Sequence, residues 1–322
     1  MTDGSESEAD VTPDSISTHW SHRLPPAMRP YAQLARLDRP VGYWLLCLPG
    51  WIGIAFAGLN VGLDWRHVWL GALILIGSIA MRGAGCTYND IVDSDLDAQV
   101  ERTRGRPLPA GLVSKRQAWA WLVVQCLIGL VILLLLPNRL SQIVALASLP
   151  LVAAYPFMKR IWGFPQVWLG LTFNWAVLVA SAAALGSLGW PIIILYVGLA
   201  FWTLGYDTIY ALQDIEDDAM VGIKSSAISF GANVRRGIAV AYLAAITCIG
   251  VVMYIGLNHR PYALFLALPF AAHLGWQVGR LERDDPAFAL RLFKSNLWAG
   301  LLLFITILSY GIYISLTLMT QS

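Results

Sequence analysis

Nine residues, Asn89-Asp90-Ile91-Val92-Asp93-Ser94-Asp95-Leu96-Asp97, place four carboxylates and an amide at the end of an apolar segment. Asp214-Ile215-Glu216-Asp217-Asp218 repeats the arrangement at the end of another apolar segment. Charge this dense in so apolar a chain calls for a compensating cation or a function. On a continuing helix Asn89, Asp93 and Asp97 stand at i, i+4 and i+8. Tyr210, Asp214 and Asp218 share the same spacing, so each cluster presents a row of oxygens on one face. Hard Mg²⁺ takes oxygen ligands, typically one or two carboxylates plus substrate phosphates. Two rows facing each other would hold divalent metal over a phosphorylated substrate. The plainer alternative is a pair of solvated loops whose carboxylates offset nearby arginines, and the matching oxygen rows speak against it.

The cations that follow each cluster suit phosphate. Glu101-Arg102-Thr103-Arg104-Gly105-Arg106-Pro107-Leu108-Pro109 sets arginines at alternate positions, and an extended loop would aim Arg102, Arg104 and Arg106 one way. Guanidinium forks match phosphate oxygens. Lys224 occupies the corresponding place after the second cluster. These cations also serve as topology determinants at the anionic leaflet. Two further charges lie inside spans: Arg82 is seven residues before Asn89, and Asp207 is seven before Asp214. Nearly two turns separate each from its cluster, or about 10 Å of helix. Either they form a structural ion pair, or Arg82 receives the carboxylate of a small acidic substrate that Asp207 helps orient. Tyr206 and Tyr210 are placed to stabilise a developing cation with their ring faces.

These residues must be positioned by membrane helices. The 322 residues are 57% hydrophobic and 13% charged, against about 25% charged in soluble domains, and mean hydropathy is +0.60. Nine apolar segments are long enough to cross a hydrocarbon core of ~30 Å: 41–59, 66–88, 117–136, 140–158, 166–185, 190–212, 237–257, 261–279 and 296–317. Segments this long in lipid choose helices. Ser114 with Gln117 makes a capping box for the third, and Pro165, Pro191 and Pro261 suit first helical positions. The expected fold is an all-α membrane protein, a bundle of nine transmembrane helices whose cavity opens toward the cytoplasmic side.

Charge placement orients the bundle. Eighteen of the 22 Lys and Arg fall on the side of the N-terminus and both acidic clusters. Arg66, Arg139 and Arg260 fall on the other, and Arg82 lies within a span. This bias makes the N-terminus cytoplasmic and the C-terminus external. Residues 1–29 read as a disordered acidic cytoplasmic tail, too acidic for a mitochondrial transit peptide and without a secretory h-region. Residues 30–322 read as a single transmembrane domain that opens with a short interfacial helix between Pro30 and Pro40. Together these features suggest the inner membrane of a bacterium. Cys47, Cys86, Cys126 and Cys248 lack CxxC spacing and read as packing residues.

At this level the chain resembles the UbiA superfamily of intramembrane aromatic prenyltransferases. Asn89-Asp90-x-x-Asp93-x-x-x-Asp97 looks like its first aspartate motif and Asp214-x-x-x-Asp218 like its second. Arg36-Leu-Asp-Arg39-Pro40-Val-Gly42, Met81-Arg82-Gly-Ala-Gly85-Cys86, Arg102-Thr-Arg104-Gly-Arg106-Pro107 and Tyr206-Asp207-Thr208-Ile-Tyr210 are similar to its 4-hydroxybenzoate polyprenyltransferase branch. The resemblance runs from about residue 30 to the end, and the acidic tail lies outside it.

The resemblance implies nine helices and Mg²⁺ held by Asn89, Asp93, Asp97, Asp214 and Asp218. It implies a polyprenyl diphosphate held by Arg102, Arg104, Arg106 and Lys224. The allylic group would pass to the ring of 4-hydroxybenzoate, ortho to its hydroxyl, a step of ubiquinone synthesis. Arg39 and Arg82 favour a small acceptor bearing a carboxylate, with Asp207 and Tyr210 beside it. The lipid bilayer is the surrounding partner, and neither nucleic acid nor an obligatory protein partner is expected. Two alternatives remain in view. One is the same superfamily with another acceptor, such as naphthoate, haem or a chlorophyll precursor. The other is a cation-coupled transporter, which would place its acids near mid-membrane among broken helices.

Overall fold

The computed structural model describes residues 19–99, 101–213, 215, 220, 222–257 and 259–321; for 101, 102 and 317–321 only the backbone is described. The expected tail lies outside the described residues as far as residue 18. Its remainder forms a 3-10 turn, Trp20–Arg23, with Ser21 buried.

Helices account for the described elements. They are α1 (Arg29–Leu34), α2 (Pro40–Val61), α3 (Trp65–Asp97), α4 (Glu101–Arg104), α5 (Lys115–Leu135), α6 (Arg139–Ala147), α7 (Leu149–Ile161), α8 (Pro165–Phe173) and α9 (Trp175–Leu185). Then follow α10 (Trp190–Ala211), α11 (Ser226–Phe230), α12 (Val234–Gly256), α13 (Leu268–Arg280) and α14 (Pro286–Gln321). Among the described residues, eight helical stretches are long and apolar enough to cross a membrane. Three of them are interrupted runs, α6 with α7, α8 with α9, and α11 with α12.

The difference from nine lies in segment 261–279. It opens as a 3-10 stretch, Pro261–Ala267, and becomes α-helical only from Leu268. Pro269, with no N–H to donate, falls in the first turn of the α-helix, and the stretch ahead of it is 3-10. The Ser114–Gln117 box forms as expected. The Ser114 N–H donates to Gln117 Oε1 at 2.9 Å, and the Gln117 N–H to Ser114 Oγ at 3.3 Å.

The chain divides into two compact units, residues 1–42 with 79–130, and residues 43–78 with 131–322. In the first, Leu34, Ala84, Ile91, Leu108, Val113, Ala118 and Leu122 form a buried cluster. The rings of Tyr31 and Trp121 meet edge to face at 5.8 Å beside it. Along α5, Trp119, Val123, Leu127 and Leu130 face outward, as lipid-contacting side chains do.

In the second unit α10 packs against α12 through small residues seven apart. A Cβ on Gly198 would lie 2.8 Å from Cys248 Cβ, and one on Gly205 would enter the Tyr242 ring. Close backbone approach through glycine is a common way for membrane helices to associate. Polar side chains in this unit find partners across helices. The Trp202 indole donates to Asn296 Oδ1 at 2.8 Å, Tyr242 donates to Gln277, and Gln277 donates to Ser295 Oγ at 2.9 Å. Asn174, at the break between α8 and α9, donates to Gly170 O at 2.8 Å and Thr203 Oγ1 at 2.7 Å.

Candidate functional site

Helix α3 is 33 residues long, about 50 Å at 1.5 Å per residue, so it outruns a ~30 Å hydrocarbon core. No glycine or proline falls between Cys86 and Asp97, and the helix carries its apolar register straight into the acidic motif. Asn89, Asp93 and Asp97 therefore share one face, as expected. Asn89 is half-buried, while Asp93 and Asp97 are 1% and 8% exposed.

The loop beyond α3 folds back on it. The expected extended arrangement of Arg102, Arg104 and Arg106 is not what forms, because Glu101–Arg104 makes a helical turn. Thr103 Oγ1 donates to the Asp97 carbonyl at 2.8 Å, and Arg106 Nη1 donates to the Asp97 carboxylate at 2.7 Å. Arg104 is exposed, and the Arg102 side chain lies outside the described residues. Arg106 is thus held at the acidic row while Arg104 faces solvent.

Asp95 and Asp90 separate sharply. Asp95 is exposed and meets Lys115 at 3.1 Å, a solvent-screened surface pair that contributes little. Asp90, by contrast, is 1% exposed. Its Oδ1 lies 2.8 Å from Arg36 Nη2 and 3.5 Å from Arg106 Nη1. Arg36 was overlooked as a site residue. A buried acid beside the oxygen row demands a cation, which is the signal that points to it. Arg36 has φ +53, an uncommon conformation for a residue with a Cβ, and its Nη1 also donates to Gln33 O at 3.0 Å. Arg36, Arg39, Arg106, Gln33, Asp38, Gly105 and Pro107 line one cleft.

Deeper along α3, Arg82 Nη1 lies 2.7 Å from Cys86 Sγ, one turn on. Gly42 makes room for this guanidinium, since a Cβ there would lie 2.8 Å from Arg82 Nε.

In the second unit α10 ends at Ala211, where the Leu212 N–H bonds to the Ile209 and Tyr210 carbonyls. The oxygen row expected through Asp214 and Asp218 lies outside the described residues. Asp207 and Tyr210 are half-buried on α10, and the Tyr210 ring centre is 4.6 Å from that of Phe293. Tyr206 differs from expectation. It is 1% exposed, its hydroxyl accepts from Thr203 at 3.1 Å, and its ring abuts Trp202 at 5.2 Å. It is a packing residue with no face open to a substrate.

Lys224 caps a helix. Its Nζ donates to Ile161 O at 3.0 Å and its N–H to Lys159 O at 2.9 Å, both at the C-terminal end of α7. Cations are favoured at that end of the helix dipole.

Among the described residues no three His, Cys, Asp or Glu side chains gather as a metal cage. The donors on α3, an amide and two carboxylates, are nevertheless of the all-oxygen kind that a hard cation takes.

Comparison with known proteins accords with this arrangement. A family model described as the UbiA prenyltransferase family matches residues 46–301. The chain is 43% identical over 289 residues to a mitochondrial 4-hydroxybenzoate polyprenyltransferase of Aedes aegypti, covering 88% of this chain and 64% of that relative's length. It is 41% identical over 299 residues to 4-hydroxybenzoate geranyltransferase 1 of Lithospermum erythrorhizon, covering 88% and 91%. Its fold matches a UbiA homolog from Archaeoglobus fulgidus bound to GPP and Mg²⁺, with TM-score 0.62, 19% identity and coverage of 89% and 99%. The helices, the family match over most of the chain and these relatives lead to one conclusion: this multi-pass membrane protein belongs to the UbiA prenyltransferase family.

Proposed function

We propose that the protein transfers a polyprenyl group from polyprenyl diphosphate to the ring of 4-hydroxybenzoate, ortho to the hydroxyl, in ubiquinone synthesis. The observation that carries this reading is the 43% identity, over nearly the whole chain, to an enzyme of that name. The oxygen row on α3 and the cations beside it supply the chemistry such a transfer needs.

Asn89, Asp93 and Asp97, with Asp214 and Asp218, are the proposed ligands of Mg²⁺. Bound there, the metal would supply positive charge to offset that of the diphosphate leaving group. Arg102, Arg104, Arg106 and Lys224 bind the departing diphosphate, where fixed cations stabilise the charge that develops. Arg39 and Arg82 are assigned to the acceptor carboxylate, and Asp207 and Tyr210 to orienting the acceptor ring. The apolar helices exclude water from the allylic cation. The ring carbon beside the phenol hydroxyl then forms the new C–C bond and loses its proton. The relatives include a geranyltransferase, so the tail accepted by this chain is to be measured with donors of several lengths.

The cation bias supports a cytoplasmic N-terminus and acidic motifs on the cytoplasmic side. The proposed compartment is a bacterial inner membrane. Membranes containing the protein are expected to join 4-hydroxybenzoate to polyprenyl diphosphate with Mg²⁺ and to stop with chelator. Use of naphthoate with 4-hydroxybenzoate ignored would overturn the acceptor assignment.

A further inference from the structure

We propose that Asp90 is a positioning residue: it binds no metal, and it fixes the arginines that meet the diphosphate. This rests on the reading that Arg106 binds diphosphate. Asp90 stands about 100° round α3 from Asn89 and near Asp97, nearly two turns on, and Arg106 bridges the two acids. Its carboxylate is buried against two cations, Arg36 at 2.8 Å and Arg106 at 3.5 Å. Those partners come from the turn after α1 and the loop after α4, so one carboxylate oxygen ties two segments to α3. Asp90 Oδ2 is buried with no hydrogen-bond partner.

Stability alone is a poor reason to keep such a group. Burying ions costs desolvation that the attraction often fails to offset, and well-packed apolar residues do as well or better. What an apolar residue cannot do is hold guanidinium groups in a set direction. Arg36 and Arg106 both border the cleft that also contains Arg39. With the Asp90 charge in place, Arg106 is shared between Asp90 and Asp97. Without it, Arg106 and Arg36 lose the anchor that sets their spacing.

The test uses the full-length protein in detergent, with two readouts. One is turnover against prenyl diphosphate and against Mg²⁺. The other is calorimetric binding of inorganic diphosphate with Mg²⁺, which needs no acceptor. Asp90→Asn keeps the shape and removes the charge. It is expected to raise the prenyl diphosphate KM and the diphosphate Kd about tenfold, equivalent to about 1.4 kcal/mol. The half-saturating Mg²⁺ concentration should not change. In an Arg106→Gln background, Asp90→Asn should add much less than in the wild type, as expected of coupled neighbours. Unchanged KM and Kd in folded Asp90→Asn would sink the proposal, as would full additivity. An equal shift in Mg²⁺ dependence would make Asp90 a ligand instead and also overturn it. If Asp90→Asn does not fold, Asp90→Glu keeps the charge on a longer arm. A Kd above wild type is then expected, and a wild-type Kd counts against the proposal. Wild-type protein that binds diphosphate but leaves hydroxybenzoate unmodified would defeat the functional reading alone, because the Kd comparison still tests Asp90.

Discussion

Arg106 Nη1 stands 2.7 Å from the Asp97 carboxylate, nine residues earlier in the chain. A guanidinium and a metal ion would compete for the same oxygens, so under the proposed function one side chain would both guard the acidic row and serve the diphosphate. Arg106→Gln should therefore move two constants in opposite directions. Half-saturating Mg²⁺ should fall, because Asp97 is released from a charge partner. KM for prenyl diphosphate should rise about tenfold, the worth of one charge-assisted contact. Steady-state titrations of each, with the other saturating, separate the two effects. A parallel rise in both would show that Arg106 does not compete with the metal.

Asp93 is the best-buried member of the row on α3, at 1% exposed. Asp93→Asn and Asp214→Asn each remove one anionic ligand and change little volume. Metal stabilisation of a leaving group is worth several kcal/mol, so kcat should drop at least about 100-fold in each variant. Thermal unfolding of the two proteins checks that they remain folded. Full turnover in either would break the two-row assignment.

Much of this arrangement was legible in the sequence because membrane helices have few alternatives. Apolar run length located the spans, and the uninterrupted stretch from Cys86 to Asp97 carried α3 through the motif. Three features were not legible, each for a physical reason. Alternate arginines suggested an extended loop, but the Thr103 hydroxyl and Arg106 both found Asp97 and curled the chain into a turn. The pairing of Asp90 could not be read because its partner, Arg36, is 54 residues away. The break ahead of Leu268, with Pro269 in the first turn that follows, is a local effect that averaged hydropathy hides. The Asp214 and Asp218 row, expected from the sequence, lies outside the described residues beyond the end of α10 at Ala211.

Gly205 gives a test of packing separate from chemistry. A Cβ at this position would enter the ring of Tyr242, which is itself fully buried and donates to Gln277. Neither the ring nor its hydrogen bond can shift freely. Gly205→Ala should destabilise the protein by about 1–3 kcal/mol, the usual range for overpacking. Thermal unfolding in detergent reads this directly. The KM for each substrate should stay near wild type in the fraction that remains folded.

Lys224 has two roles to separate, since it follows the second acidic motif yet its ammonium group caps α7 through Ile161 O. A cation at a helix C-terminus contributes about 0.3–1 kcal/mol, and a contact to diphosphate would contribute to substrate binding as well. Lys224→Met removes the charge and keeps most of the stem, so both roles are lost together. Lys224→Arg restores the charge, and a guanidinium can still reach a carbonyl. The proposed function requires a higher prenyl diphosphate KM in Lys224→Met, with recovery in Lys224→Arg, and a slightly lower unfolding temperature in the Met variant. A change in unfolding temperature with no change in KM would confine Lys224 to capping. The diphosphate would then be left to the arginines beside α3.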